Sequence, residues 1–499
     1  MNVNETLALL KEAQKTGSAE ILAKNFVQPS TSTTGLQAYD LEAPSKKLYP
    51  VLTPLRNMIP RVGGGFAIQA NWKAITGINS TAMRAGVAEG KRGGAVTHTL
   101  TEYLAAYRGI GLEKSVTFEA DYASRGFEDL KAAAVLQSLQ ATMIAEEIII
   151  LGGNTSTALG TTGTPTLTQG GAGTLGNATY SVICVALGVQ AYWDLAGLNN
   201  GNVNQSLALA TATVPAQVVR TNADGTTDTF GGGSAQKSAA ASLAVTGGQN
   251  LFATVTPIKG AYAYAWFCGA AAAERLEKVT TINSVTFSTA LVGTGQLASA
   301  LTAVDSSTSA LEYDGLLTLA NKSGSGAYYN ALATGTPGTG TTLTGAGGRI
   351  VEIDAALASF YQQYRLQPTH IFVNFVQFQK ITNVILGQAN PAVYFTADVN
   401  SPSNFVAGRN VGSYLSPIDG TVINIVVHPN MVPGTIFFYT AAVPAYVDGV
   451  SDIARIRTRQ EYYQIEWPLR TRKYEYAVYA DEVLQHFLPP SMGVLTNVA

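Results

Sequence analysis

The range 61–151 constrains the fold most, because in it a long two-stranded ribbon leads directly into a long helix. After a triple glycine that begins at Gly63, residues 66–75 alternate between apolar and mixed side chains with the period of two that is typical of a β-strand. Residues 95–108 alternate in the same way and are rich in β-branched residues. We therefore predict that the two runs pair.

The connection between the two predicted strands, residues 76–94, is punctuated by glycine and carries Arg84, Lys91 and Arg92. It is much longer than the roughly two to five residues of an ordinary hairpin loop. A lone two-stranded ribbon with little apolar area is marginally stable in water. We therefore predict a poorly buried ribbon that a second subunit holds. Lys91 and Arg92 either pair with a neighbour's carboxylates or lie in a solvated turn.

The residues that follow the ribbon predict a long helix. Residues 127–151 contain no glycine or proline and consist largely of good helix formers, enough for roughly seven turns. Leu136, Leu139 and Met143 recur at spacings of three and four, which predicts a stripe that faces the core. Two glycines beginning at Gly152 are expected to end the helix.

The composition narrows the class of protein. A length of 499 residues suggests about three domains, and 46% hydrophobic residues can form sizeable cores. Charged residues make up only 13% of the chain, about half of the usual roughly 25%. So few charges suggest that partners cover much of the surface. A net charge of −2 argues against a protein whose main task is to grip nucleic acid.

Cysteines and apolar segments give further expectations. Cys184 and Cys268 are too few for a disulfide framework, and we expect them to be buried thiols. The first 26 residues lack the basic and apolar regions of a signal peptide, so no export is expected. The apolar run 144–151 is short for a membrane span and contains Glu146 and Glu147. We therefore expect no membrane association.

From residue 155 to about residue 345 the chain becomes rich in glycine, threonine, alanine and serine. Short apolar runs at 180–187 and 260–268 are separated by turn-rich stretches, as strands are. We predict a β-rich domain here, built as a sandwich.

The last third alternates between helices and strands. Helices are predicted at 352–364 and 378–386, and strands are predicted at 368–374, 421–427 and 435–439. Basic and aromatic strands then close the chain. In this order the segments resemble the major capsid proteins of tailed bacteriophages, which have the Hong Kong 97-type fold. The resemblance is carried by PTHIFVN, by PIDGTVINIVVHPNMVPGTIFFY and by the pair ARIRTRQEYY and RTRKYEYAVYADEVLQHF.

The resemblance implies an α+β chain of the Hong Kong 97-type capsid fold with an inserted all-β domain. Its implied parts are an N-terminal arm (1–60), an extended β-hairpin loop (61–115), a peripheral domain with a long spine helix (116–154 and 451–499), an inserted β-rich domain (155–348) and an axial domain (349–450).

The implied function is that of a major capsid protein. Such a chain would self-assemble, as hexamers and pentamers, into the icosahedral shell around the double-stranded DNA genome of a tailed bacteriophage. Assembly would take place in the host cytoplasm, and the mature protein would belong to the virion. Portal, scaffolding and decoration proteins would be further partners, and the DNA would be enclosed without specific recognition.

Basic residues near the C-terminus are candidates for contacts between subunits. Arg455, Arg457 and Arg459 alternate and should project from one side of a strand, and Arg470 and Arg472 should do the same nearby. Three interpretations stay open. The arginines could face a neighbour's carboxylates, could form a solvated strand face, or could face DNA. The carboxylates considered are Glu119, Asp121, Glu128 and Asp129.

No catalytic, cofactor or metal site is expected. The four histidines are far apart in sequence, and neither a nucleophile elbow nor a phosphate-binding loop occurs. Two other classes of protein remain as alternatives. An encapsulin-like nanocompartment shell protein would share the fold but is much shorter. A β-rich surface-layer or adhesin protein would explain the middle of the chain but not the long helix.

Overall fold

The computed structural model describes residues 51–78, 85–95, 98–124, 129–196, 209, 211–387, 411–443 and 452–499. All of them belong to the compact unit Val51–Ala499. Helices and sheets are mixed along the chain, as the α+β prediction requires. Most of the predicted N-terminal arm, residues 1–50, lies outside the described residues.

The first part of the described chain contains the predicted ribbon and the predicted long helix. Its elements in chain order are α1 (Pro54–Met58), β1 (Arg61–Val62), β2 (Gln69–Ile78), β3 (His98–Ala106), β4 (Arg108–Thr117), α2 (Phe118–Ala123) and α3 (Leu130–Gly152). Strands β2 and β3 pair antiparallel and form a sheet of their own, which confirms the ribbon. The Asp129 side chain caps the start of α3, and Gly153 caps its end.

Helix α3 packs through small residues rather than through its large apolar ones. Ala134, Ser138 and Thr142 are buried at a spacing of four, whereas Leu136 is 48% exposed. The predicted core-facing stripe of Leu136, Leu139 and Met143 is therefore wrong. The physical reason is the close approach of α3 to β4, where the Ser138 hydroxyl donates to the Leu112 carbonyl at 2.5 Å.

By length and composition alone, α3 is also the one described helix that could cross a membrane. Only 44% of its most apolar stretch is buried, yet Glu146 and Glu147 in its last two turns are almost completely enclosed. Both carboxylates have partners from the same chain. Buried and paired glutamates of this kind belong to a helix in a protein core.

The middle of the chain is β-rich. Its elements are β5 (Thr166–Ala172), β6 (Ala178–Leu187), α4 (Val189–Ala196), β7 (Gln217–Thr221), β8 (Thr227–Gly231), β9 (Ala241–Val245), β10 (Gln249–Thr254), β11 (Ala263–Gly269), β12 (Arg275–Thr280) and β13 (Ser284–Phe287). A sheet in the order β13-β10-β5 and a sheet in the order β12-β11-β6-β9 share one core. This is the predicted sandwich. Cys184 and Cys268 are buried free thiols in that core, as expected.

Strands β7 and β8 stand apart from the sandwich. They pair only with each other among the described strands. The turn between them is exposed, contains Gly225 at a φ of 86°, and is closed by a hydrogen bond of 2.8 Å from the Asn222 amide to the Thr226 carbonyl.

The last part of the described chain forms a second layered region. Its elements are α5 (Leu316–Asn321), β14 (Tyr328–Ala331), β15 (Gly345–Ala346), β16 (Arg349–Ile350), α6 (Val351–Tyr364), β17 (His370–Val373), α7 (Phe375–Leu386), β18 (Ser413–Leu415), β19 (Val422–Val427), β20 (Ile436–Tyr439), β21 (Ala454–Glu466), β22 (Lys473–His486) and β23 (Gly493–Thr496). The predicted helices and strands of this part are confirmed, with α7 beginning three residues earlier than predicted.

Two sheets organise this region. One has the order β14-β23-β20-β17-β19-β18, and helices α6 and α7 pack on one of its faces. The other has the order β1-β21-β22-β4, and α3 crosses it. Strand pairing departs from the predicted ranges at two places. Strands β1 and β4 lie wholly or mostly in the predicted extended-loop range 61–115, yet they pair with β21 and β22 of the range 451–499. Strand β14 falls within the predicted β-rich range 155–348, and β23 falls within the range 451–499, yet they pair with each other in the six-stranded sheet.

The chain enters and leaves the β-rich region side by side, and we call this place the joint. The amide of Ser309 donates to the Asn154 carbonyl at 2.7 Å, and the amide of Gly315 donates to the Gly153 carbonyl at 2.8 Å. Trp193 from α4 is fully buried in the core that also holds the end of α3. These contacts fix the β-rich region to the rest of the unit.

Candidate assembly interface

One face of the ribbon packs on its own chain, and we call it the inner face. Ala70, Trp72 and Ala74 of β2 are buried there, and Tyr103 of β3 stacks on Trp72 at a ring distance of 5.9 Å. The indole nitrogen of Trp72 donates to the His486 carbonyl at 3.0 Å. The prediction of a poorly buried ribbon is wrong for this face, because the C-terminal end of β22 covers it.

The opposite face of the ribbon, which we call the outer face, is uncovered. Leu104 is 63% exposed and Leu100 is 55% exposed, and Ile75 lies directly across from Leu100. Lys73 and Glu102 face each other between the apolar residues. Two more exposed apolar residues, Phe66 and Ile68, precede the ribbon. A row of large apolar side chains in water is a candidate contact surface.

The tip of the ribbon carries two of the predicted contact residues. Lys91 and Arg92 are exposed, and the Lys91 amide donates to the Ala88 carbonyl at 3.0 Å to close a turn. The third, Arg84, lies outside the described residues. Whether the tip binds carboxylates of a neighbour stays a prediction.

A buried group of charges holds the chain where it leads into the ribbon. The guanidinium of Arg61, at β1, bridges the carboxylates of Glu146 on α3 and Glu482 on β22. Arg56 of α1 also pairs with Glu146, at 2.9 Å. The hydroxyl of Tyr313 donates to Glu482 at 2.9 Å. We call these five residues the root cluster.

The opposite charges of the root cluster are equal in number, but removing them from water costs free energy. Two guanidinium groups face two carboxylates, so the cluster carries no net charge when both glutamates are ionised. Burial raises the pKa of Glu482, and the nearby Glu146 carboxylate raises it further. Removing either arginine would leave an uncompensated charge in the core.

A second buried contact beside the root cluster fixes α1. The Glu147 carboxylate accepts from the backbone amides of Leu55 and Arg56 at 2.9 and 2.7 Å. Nε2 of His428 lies 2.6 Å from Oε1 of the same carboxylate. Its Nδ1 accepts from the Asn430 amide at 3.1 Å, so the proton of the neutral ring is assigned to Nε2. Glu147 therefore joins α1, α3 and the turn after β19.

The predicted row of arginines is present on one face of β21. Arg455 lies over the Phe487 ring at 4.8 Å and donates to the Gln485 side chain at 2.9 Å. Arg457 donates to the carbonyl of Gly64 at 3.3 Å. Arg459 pairs with Asp481 of the same chain at 2.8 Å. The row thus lies beside the beginning of the ribbon, a placement that the sequence did not predict.

The two arginines that follow lie in the connection between β21 and β22 rather than on a strand. Arg470 is exposed in this connection. Arg472 pairs with Glu119 of the same chain at 3.0 Å, with both side chains mostly exposed. Of the other carboxylates considered, Asp121 lies 3.7 Å from Lys131, and Asp129 caps α3. Glu128 lies outside the described residues.

Sequence reasoning missed the two buried glutamates of α3. Their signal was visible, because Glu146 and Glu147 interrupt an otherwise apolar run. Charged residues at the centre of such a run are buried only when they are paired. Their partners could not be identified, since Arg56 and Arg61 precede Glu146 by about 90 residues and His428 follows Glu147 by 281.

In the described ranges no three His, Cys, Asp or Glu side chains converge to hold a metal. A cavity of about 20 Å³ at the joint of the β-rich region is lined by Asn154, Gln190, Tyr262 and Asn321, among others. It has room for roughly one water molecule.

Comparison with known proteins gives matches to solved structures only. No protein-family model and no curated protein matches the sequence. The capsid of a native GTA particle shares 8% identity, over 97% of this chain and 100% of that chain, at a TM-score of 0.40. The capsid of cyanophage A-1(L) shares 10% identity, over 93% of this chain and 97% of that chain, at 0.41.

A structure of phage G gp27 major capsid proteins and gp26 decoration proteins shares 6% identity, over 88% of each chain, at 0.34. All three are capsid structures. Each TM-score lies below 0.5, so the function must be judged from the contacts of this chain itself.

Proposed function

We propose that this chain is the major capsid protein of a tailed bacteriophage and self-assembles into the icosahedral shell around a double-stranded DNA genome. The observation that supports this most is the outer face of the ribbon. It presents large apolar residues that the chain itself leaves in water, beside the arginine row of β21. A second subunit would cover such a surface.

The elements fit the parts of a Hong Kong 97-type capsid protein. We propose that the ribbon is the extended loop, that α3 is the spine helix, and that the sheet β1-β21-β22-β4 belongs to the peripheral domain. The six-stranded sheet would be the axial domain, and the β-rich sandwich would be an inserted domain. The range limits proposed from the sequence would then shift so that β14 and β23 join the axial domain and β1 and β4 join the peripheral domain.

The proposed mechanism is multivalent assembly. A contact of about −4 kcal/mol corresponds to a millimolar dissociation constant, so a misplaced subunit can leave. A closed shell gains its strength because each subunit makes several such contacts at once. The ribbon, the arginine row and the exposed Leu136 side of α3 would supply them.

The proposed partners follow from this role. Copies of the chain would form hexamers and pentamers, and portal, scaffolding and decoration proteins would join them. The structure of phage G contains decoration proteins together with its major capsid proteins. The DNA would be enclosed without sequence recognition, assembly would occur in the host cytoplasm, and the protein would be part of the virion.

The structural features also bear on the alternatives. An encapsulin-like shell would use the same contacts, and its particles would lack a phage genome. A surface-layer or adhesin role would account for the β-rich sandwich but not for the long helix α3. A metal-dependent enzyme would need a cluster of ligands, and no three His, Cys, Asp or Glu side chains of the described residues could hold a metal.

The test is electron microscopy of the purified protein together with one variant. The wild type should form closed icosahedral particles. In the variant, Leu104→Glu places a charge on the outer face of the ribbon, where this side chain is 63% exposed. This variant should fold with an unchanged melting temperature and form no closed particles. Wild-type protein that stays monomeric under all assembly conditions would contradict the proposed function.

A further inference from the structure

Three consecutive side chains, those of Glu312, Tyr313 and Asp314, extend from the joint to different parts of the described unit. Each of the three residues is more than nine-tenths buried. The backbone on either side of them is bonded to the end of α3 and to the residue after it, through the amides of Gly315 and Ser309. The segment is therefore fixed at the place where the chain enters and leaves the β-rich region.

Two of the three side chains bind the β-rich region. The Glu312 carboxylate accepts from the Gln190 side chain of α4 at 2.6 Å. The Asp314 carboxylate accepts from the backbone amides of Thr155 and Ser156 at 2.9 and 3.0 Å. These two amides belong to the stretch that leads from α3 into the sandwich. A displacement of α4 or of this stretch would therefore move residues 312–314 as well.

The middle side chain leads to the base of the ribbon. The hydroxyl of Tyr313 donates to the Glu482 carboxylate at 2.9 Å. The other oxygen of this carboxylate accepts from the guanidinium of Arg61, which lies a few residues before β2. Tyr313 and Glu482 are both buried, so that breaking their bond leaves polar groups without water to replace it. This is the first route from the joint to the ribbon.

A second route reaches β3 on the inner face of the ribbon. The ammonium group of Lys322 lies 3.3 Å from the Asp314 carboxylate and 5.3 Å from the centre of the Tyr103 ring. A carboxylate and an aromatic face both attract a cation, so Lys322 links the two. The Tyr103 ring also stacks on Trp72 of β2. A change in the position of Lys322 is thus felt on both strands.

We propose that residues 312–314 and Lys322 couple the β-rich region to the ribbon, so that loosening the joint loosens the docking of the ribbon on its own chain. The element with two states is the local opening of the inner face, which both routes oppose. A partner that binds or strains the β-rich region would then change how firmly the ribbon is held without touching it. The inference goes beyond the proposed function, because it concerns the single chain.

Hydrogen exchange of the unassembled full-length chain tests the coupling, with mass spectrometry reading the peptides of β2 and β3. Asp314→Asn removes the charge that holds Lys322 and weakens the bonds to the entry of the β-rich region. Exchange in β2 and β3 should accelerate about tenfold, the effect of losing one hydrogen bond to a charged group. Exchange in α7, which lies outside both routes, should stay as in the wild type. Unchanged exchange in the ribbon would overturn the inference.

Asp305→Asn is the matched control. The Asp305 carboxylate also accepts backbone amides at the joint, from Gly160 at 2.7 Å and from Ser307 at 3.0 Å, but it belongs to neither route. This variant should leave exchange in β2 and β3 unchanged. An acceleration equal to that of Asp314→Asn would mean that any weakening of the joint has this effect, and the two routes would be wrong.

A double-variant cycle tests the second route, and it also serves if Asp314→Asn does not fold. Lys322 is partly exposed, so Lys322→Met should fold, and it should accelerate exchange in the ribbon about threefold. The double variant should exchange close to the rate of Asp314→Asn alone, because both changes break the same link. A rate equal to the product of the two single effects, or no acceleration by Lys322→Met, would overturn the second route.

Coupling must also act in the opposite direction. Tyr103→Leu removes the ring that Lys322 faces and should accelerate exchange at the amides of Thr155 and Ser156, although these lie at the joint and not on the ribbon. Tyr103→Phe keeps the ring and should leave exchange at these amides unchanged. If the two variants leave the joint equally protected, the ribbon and the β-rich region open independently and the inference is wrong.

Discussion

Asn497 shows how one residue near the C-terminus ties three parts of the fold together. Its backbone has a φ of 61°, in the left-handed region that few residues other than glycine adopt. Its side chain accepts from the Asn283 amide at 2.8 Å and donates to the Leu332 carbonyl at 2.6 Å. The β-rich region, the segment after β14 and the end of β23 meet at this side chain.

We expect two substitutions at Asn497 to separate the side chain from the backbone conformation. Asn497→Gly loses the two buried hydrogen bonds and should lower the free energy of unfolding by about 2 kcal/mol. Asn497→Ala loses the same bonds and also strains the backbone, which should cost about 1 kcal/mol more. Urea denaturation of both variants measures the difference. Equal stabilities would show that the left-handed conformation is not retained.

Glu312 provides a prediction about pH. Its carboxylate is buried and accepts from the Gln190 side chain at 2.6 Å. Burial raises the pKa of Glu312 to about 7, from an ordinary value of 4.5. The folded chain therefore binds this proton more tightly than the unfolded chain. Its contribution to stability increases as the pH falls from about 7 towards 4.5, and above 7 the buried charge is unfavourable.

Glu312→Gln should therefore be more stable than the wild type at pH 8, because it buries no charge there. The advantage should shrink as the pH is lowered through 7 and should be gone near pH 4.5. Melting temperatures of both proteins across this range measure the effect, and Glu119→Gln on the surface serves as the control. A difference that does not change with pH would contradict the assignment.

At the scale of the elements, much of the secondary structure was predictable from the sequence. Alternation identified β2, β3 and β21, and short apolar runs identified β6, β11, β17 and β19. These patterns succeed because they reflect which side of an element is buried. They cannot show what covers that side. The inner face of the ribbon is covered by residues about 410 positions later in the chain.

The orientation of α3 could not be predicted for a related reason. Its large apolar residues were assigned to the core by their spacing. A helix that lies close against a sheet needs small residues at the contact, and Ala134, Ser138 and Thr142 provide them. Leu136 is left on the outside, where the proposed shell would cover it. Surfaces that are buried only after assembly therefore mislead predictions made for a single chain.

Two substitutions compare the buried ion pairs of the root cluster with an exposed ion pair on the surface. Arg61→Met leaves Glu146 and Glu482 buried without their shared partner and should lower the unfolding free energy by about 3–5 kcal/mol. Arg472→Ala removes an exposed pair with Glu119 and should change it by less than about 1 kcal/mol. Denaturant titrations of both variants test this. Similar losses of unfolding free energy in the two variants would mean that the buried pairs of the root cluster hold the chain no more strongly than an exposed pair does.

At the scale of the whole molecule, one core connects most parts of the described unit. It contains Trp72 of the ribbon, Ile150 of α3, Trp193 of the β-rich region and Phe437 of the six-stranded sheet. The indole nitrogen of Trp193 donates to the Asn430 carbonyl at 2.7 Å. The described unit is therefore expected to enter the proposed shell as one rigid body.

The arginine row offers a prediction about assembly. Arg457 makes its hydrogen bond to a backbone carbonyl beside the ribbon. Arg457→Glu should reverse the charge of this surface and abolish particles, and Arg457→Lys should retain them because it keeps the charge. Particle yield by sedimentation and microscopy measures both. Normal particles with a changed DNA content would favour a surface that faces the genome, and normal particles with unchanged content would favour a solvated strand face.

The β7–β8 hairpin stands apart from the other described sheets, and its turn is closed by the bond between Asn222 and Thr226. A foreign peptide whose ends lie side by side could be spliced into this turn without stretching the scaffold that receives it. The hairpin is thus a natural site at which to display an epitope or an enzyme.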